Sequence, residues 1–162
     1  MNAIAELKVT AQGDTDIVIT RGFDSPRKNV FKAYTEPELI KRWLTGPPGW
    51  SFKVCEVDLK VGGRYRWVWK SEQDGTEMEA GGEYREISAP AKVVSTETFN
   101  PAWYTGEMVG TIELAEKGKG TFLTQTLRYA SREAREMVLK SGMDQGLGYS
   151  YDRLAEMLGT LP

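Results

Sequence analysis

Tyr65, Trp67 and Trp69 alternate with Arg64, Arg66 and Lys70 directly after Gly62-Gly63. Successive side chains of a strand point to opposite faces, so the aromatics share one face and the cations the other. A face with three large rings either covers a core or lines a cavity. In a cavity, its chemistry is burial of an apolar ligand against ring surfaces. The indole N–H groups favour that case, because each needs an acceptor that a dry core lacks. Acid–base chemistry has fewer candidates. The chain has no histidine. That removes Ser-His and Cys-His nucleophile pairs, the usual neutral-pH base, and the commonest zinc and iron ligand. Carboxylates, Lys, Tyr or a bound cofactor would have to do the work.

Leu123, Gln125, Leu127 and Tyr129 share one strand phase that should face inward. An inward Gln125 is either a satisfied structural amide or a polar anchor that orients a ligand. Glu56, Asp58, Glu83, Glu97, Glu107 and Glu113 could act as acids or bases only if buried. Alternation puts most of them opposite the apolar phase, in solvent, and Asp58 should support the Gly62-Gly63 turn. Cys55 reads as a small buried hydrophobe. Glu77 and Glu79 share a face, but two carboxylates without histidine make a weak metal site. Gly118-Lys119-Gly120 reads as a hairpin turn, since it lacks the spacing and following helix of a phosphate loop. No catalytic residue, metal site or cofactor is assigned.

These residues need elements to hold them. Asp16–Phe23 is rich in β-branched residues and reads as the first strand. Residues 1–14 read as a flexible N-terminal tail, with a short added strand at 6–10. Ser25 as N-cap and Pro26 at the first helical position open a short helix, and Thr35-Glu36-Pro37 opens a second. A meander follows, over about 51–60, 64–71, 76–87, 92–99, 107–115 and 121–130. Ser131 caps a closing helix that should run to about Leu158. Gly142, Gly146 and Gly148 inside it imply a kink or close approach to something bulky. The class is α+β: a curved antiparallel sheet of about seven strands around a long C-terminal helix, with two short helices after the first strand.

The 162 residues, 40% hydrophobic and 27% charged, fit one globular domain spanning 15–162. A net charge of −2 argues against nucleic acid. No apolar run approaches the ~20 residues of a membrane span. The start lacks a signal-peptide layout, and the lone Cys55 fits a reducing cytoplasm. Composition leaves monomer and homodimer open.

Element order and motifs together resemble the START-like (SRPBCC, helix-grip or birch-pollen-allergen-like) superfamily. Within it, the chain is similar to the family named for the activator of heat-shock-protein-90 ATPase. The resemblance rests on Ser25-Pro26 through Glu38-Leu39, Asp58-Leu59-Lys60-Val61-Gly62-Gly63-Arg64-Tyr65, Gly82-Glu83-Tyr84-Arg85-Glu86-Ile87, Thr121-Phe122-Leu123-Thr124, and Ser141–Gly146 with Tyr151–Leu154. Trp43 stands where the family has a Trp pair; its second position is Leu44 here. The resemblance covers about 15–160. It implies a helix-grip fold with a cavity between sheet and terminal helix, holding a hydrophobic small molecule. In a few relatives that cavity performs cyclisation, dehydration or hydrolysis. The eukaryotic co-chaperone carries a separate N-terminal chaperone-binding domain that this sequence does not supply, so chaperone contact is not expected.

The expected function is therefore non-catalytic binding of a hydrophobic small molecule with an aromatic or lipid-like body. Tyr65, Trp67, Trp69, Met78, Phe99 and Trp103 are candidate wall residues, as are Met108, Gln125, Met143 and Leu147. Trp43 and Trp50 are rim candidates. The alternatives are a polyketide-cyclase-like, dehydratase or hydrolase enzyme with an ionisable group in the cavity, and a chaperone-related interaction module. The last predicts an exposed patch of Trp43, Trp50 and Trp103.

Overall fold

Strand alternation, turn residues and proline-led helix starts produce eight strands and four helices in the computed structural model, which describes residues 5–162. The first four residues of the expected tail lie outside the described residues. In chain order the elements are β1 (Lys8–Gln12), β2 (Asp16–Phe23), α1 (Arg27–Thr35), α2 (Pro37–Trp43), β3 (Trp50–Val57) and β4 (Arg64–Ser71). They continue with β5 (Glu77–Ser88), β6 (Lys92–Asn100), β7 (Met108–Lys117), β8 (Gly120–Arg128), α3 (Arg132–Lys140) and α4 (Met143–Leu158). One antiparallel sheet has the order β1-β2-β8-β7-β6-β5-β4-β3. Every neighbouring pair from β3 to β8 is consecutive in sequence, as a meander requires. The α1–α2 crossover carries the chain from β2, near one edge, to β3 at the other. The fold is the expected α+β arrangement. Its eighth strand is β1, which adds to the edge of β2 with Val9 opposite Ile19.

Inward residues of β2 and β8 meet the end of α4. Ile17, Ile19, Leu123 and Leu154 are fully buried there, joined by Tyr151, Met157 and Leu158. Trp43 closes this core from α2 and is 2% exposed. Its indole N–H donates to the Ala33 carbonyl at 2.8 Å.

Two local expectations change. The first helix starts at Arg27, and Pro26 rather than Ser25 holds the N-cap position. The buried Ser25 instead accepts the Thr121 hydroxyl on its carbonyl at 2.7 Å. The closing helix is two helices. Ser131 caps α3 as anticipated, accepting the Ala134 N–H at 3.1 Å. The chain then breaks at Gly142, whose φ of +81° lies in the left-handed region that glycine enters without steric cost. Gly142 thus does more than kink the helix: it redirects the chain so that α4 alone crosses the sheet.

Candidate functional site

Between the inner face of the sheet and the helices lies a cavity of about 620 Å³. That is within the usual range for small-molecule sites, roughly 300–1,000 Å³. The strand phases explain its walls. From β4, Tyr65 and Trp67 point inward, their ring centroids 4.6 Å apart. Met78 of β5, Phe99 of β6 and Met108 and Ile112 of β7 continue the lining. Trp103, on the β6–β7 connection, stands edge-on to Phe99 at 5.6 Å. From the helical side come Met143 and Leu147 of α4. Gly146 also lines the cavity, and a Cβ built there meets nothing within 4 Å. The glycine expected to allow close packing therefore leaves empty space. Pro47, Ser141, Gly142 and Gly146 line the cavity yet are exposed, which marks its mouth.

Ten of the twelve candidate residues are brought together here: Trp43, Tyr65, Trp67, Met78, Phe99, Trp103, Met108, Gln125, Met143 and Leu147. Trp43 forms deep wall rather than rim, because burial and its bond to Ala33 pin it in the core. Trp50 and Trp69 lie outside the lining. The Trp69 indole N–H donates to the Leu44 carbonyl at 2.8 Å, which fixes the turn that contributes Leu44, Gly46 and Pro47 to the wall. The exposed patch of Trp43, Trp50 and Trp103 does not form: Trp43 is buried and the other two are half-buried.

The polar groups of the wall are few. The Gln125 side-chain oxygen accepts the Tyr151 hydroxyl at 2.6 Å. Burial raises that phenol to about 12. The Tyr34 hydroxyl is buried beside that of Tyr151, and burial, with Tyr151 adding to it, lifts it well above an ordinary phenol. The Trp67 indole N–H is buried and unpartnered. Cys55 stays a thiol at neutral pH, since burial pushes it up to about 11.

Glu97 departs from expectation. Rather than facing solvent, it lines the cavity, in phase with Ser95 and Phe99. Strand alternation puts it there, between Ser95 and Phe99 of the same phase. β5 and β6 also run close at this point: a Cβ on Gly82 would lie 1.9 Å from the Thr96 carbonyl, so only glycine fits. Buried Thr96 accepts the Glu83 N–H on its hydroxyl at 3.0 Å and the Tyr65 hydroxyl on its carbonyl at 2.5 Å. Burial raises its carboxyl to about 7, against a lowering contribution from the Tyr104 hydroxyl. That hydroxyl donates to Glu97 at 3.2 Å. Among the described residues, Glu97 alone supplies formal charge to the wall; no Lys, Arg or Asp lines it. The signal was present in the alternation Val93, Ser95, Glu97, Phe99, which shares a phase with two apolar residues.

Among the described residues, no group of three or more Asp, Glu or Cys could hold a metal, and no helix is long and apolar enough to cross a membrane. A second depression, of about 530 Å³, is bounded by α3 and Ser141 alone and is open surface.

The family model described as activator of Hsp90 ATPase homolog 1-like protein matches residues 24–159. No curated protein matches the chain. Among solved structures, it is similar to a protein from Rhodobacter sphaeroides at 27% identity, covering 96% of this chain and all of that one, with a TM-score of 0.90. A protein from Nitrosomonas europaea is 26% identical, over 92% of this chain and 97% of that one, with a TM-score of 0.80. CalU16 from Micromonospora echinospora shares the fold at 19% identity, with a TM-score of 0.63 over 98% of this chain and 85% of that one.

Proposed function

The chain belongs to the activator of Hsp90 ATPase homolog 1-like family, and from that premise we propose that it binds a hydrophobic small molecule between sheet and α4. The observation that carries this is the open cavity of about 620 Å³, walled by Trp67, Phe99, Trp103, Met108, Met143 and Leu147. A core-only role would have filled that space, because interiors pack to the density of organic crystals. Here the helix presents glycine where a side chain would close the gap. Glu97 and Gln125, the two polar side chains of the strand walls that carry a carboxyl and an amide, supply groups that fix a ligand's orientation. Trp69 and Trp43 act indirectly, by holding the turn and α2 that frame the wall.

Native mass spectrometry of protein purified from its own host tests this reading. The expected result is a co-purified apolar compound of a few hundred daltons, lost in Gly146→Leu. A ligand-free spectrum, with no binder in a screen of aromatic and acyl compounds, would count against it.

A second reading has one observation in its favour. Glu97 is an ionisable carboxyl inside the cavity, raised to about 7 by burial and within reach of the Tyr104 hydroxyl. That is the range in which a carboxyl both gives and takes a proton at neutral pH. The enzyme reading requires chemical turnover of the bound compound, and its loss in Glu97→Gln with binding retained.

A further inference from the structure

We infer that the ligand is an organic cation, an apolar body bearing an ammonium group that pairs with Glu97. The inference rests on the cavity being the ligand site and names the class of ligand it takes. Glu97 contributes the wall's one formal charge, and no Lys or Arg of the described residues lies within ion-pair distance of it. Among the described residues, its one hydrogen-bond partner is the Tyr104 hydroxyl, a neutral donor. A carboxylate has about four lone-pair sites, so most of its accepting capacity is unused. A buried charge without a counter-charge is costly, and a cationic ligand removes that cost on binding.

The surroundings suit a cation for a second reason. The Tyr104 ring stands edge-on to Trp103, Tyr129 and Phe99, with centroids 5.1, 5.2 and 5.9 Å apart. Ring faces carry negative charge density and attract alkylammonium groups. Phe99, Trp103 and Tyr129 of this cluster line the cavity, and an anionic ligand there would meet Glu97 with no cation to offset it.

Calorimetric titration with naphthylpropyl-trimethylammonium, and with its neutral isostere in which carbon replaces nitrogen, tests the inference. The cation should bind about tenfold or more tightly than the isostere, because the two differ only in charge. Glu97→Gln should remove most of that preference. The probe carries no titratable proton, so its affinity should rise with pH up to about 7 and then level off. Glu97→Gln should flatten this profile. The titratable groups facing Glu97 are Tyr65 of β4, Tyr104 and Tyr129, all held above the ordinary phenol range by burial. They stay neutral throughout, and α3 and α4 present no charged side chain to the cavity. Equal binding of cation and isostere to the unmodified protein would overturn the cation assignment and leave the cavity reading standing. Binding of neither at millimolar concentration would overturn both. The comparison on the unmodified protein does not depend on any variant folding.

Discussion

The last turns of α4 and its first turns face the same sheet, yet one end closes on it and the other stands away. At the closed end, Tyr151, Leu154, Met157 and Leu158 fill the space above β2 and β8, and Ile17, Ile19 and Leu123 below them are fully buried. At the open end, Met143 and Leu147 are half-buried, Gly146 adds nothing, and the facing rings of Trp67, Phe99 and Trp103 border empty space. Both ends obey the same inward alternation along the strands. The difference lies in side-chain volume on one helix. The carboxylates divide in the same way. Asp16, beside the closed end, is held below the usual carboxylate range, chiefly by its hydrogen bond from Arg128 at 3.1 Å. Glu97, at the open end, has no cation and is raised.

The largest expected effect breaks the contrast directly. Leu154→Ala should cost about 2–5 kcal/mol, because it leaves a cavity in a filled region. Leu147→Ala, whose neighbourhood is already open, should cost less than about 1.5 kcal/mol. Paired urea titrations measure both, and equal losses would remove the distinction between the two ends.

Next comes the pH dependence of Glu97. Its folded-state carboxyl is raised above the ordinary 4.5 to about 7. The folded protein therefore binds the extra proton, and this group's contribution to stability falls as pH rises through that window. Glu97→Gln should stabilise the protein by about 1–3 kcal/mol at pH 8. At pH 4 the two proteins should unfold at nearly the same urea concentration. An unchanged difference at both pH values would mean that the carboxyl is solvated.

Gly146→Leu carries the smaller stability change and the sharper functional one. It should hold or raise the melting temperature, since leaving glycine gains up to ~1 kcal/mol in a helix. It should also weaken small-molecule binding by about tenfold, roughly 1.4 kcal/mol, by occupying the mouth.

The smallest effect is at Asp16. Its lowered carboxyl stabilises the fold above its unfolded-state pKa and loses that contribution as pH falls through the depressed folded value. Arg128 is largely exposed, at 69% of its side chain, so Asp16→Asn should cost less than about 1 kcal/mol at pH 7. A chemical-denaturation series from pH 3 to 7 should show the opposite slope to that of Glu97.

Much of this was legible in the residues. Proline-led helix starts, the Asp74-Gly75 hairpin and period-two apolar runs dictate the element order, because each acts over a few residues of backbone. The aromatic phase of Tyr65 and Trp67 was equally plain, and those rings do line the wall. Trp69 shares their phase but sits beyond the cavity, because the indole bond to Leu44 turns it to bracing the adjacent turn. Trp43 was misplaced at the rim, since a helix-end position in sequence does not reveal which neighbouring carbonyl takes the indole N–H. Glu97 stood among six carboxylates of which most were expected in solvent, although it shares the phase of Val93 and Phe99. That this phase borders a cavity depends on how far the sheet and α4 stand apart, a distance between elements remote in sequence.

The sequence by itself determined the meander strands, their alternation, the Ser131 helix cap and the family. Those follow from local backbone preference and from the apolar period of each segment. Tertiary structure alone decided that α4 begins afresh at Gly142 and that Gly146 stands at the mouth of a cavity. It also decided that one carboxylate of six looks inward with no cation beside it. Volume and charge balance across a gap belong to pairs of elements, and no single stretch of chain encodes them.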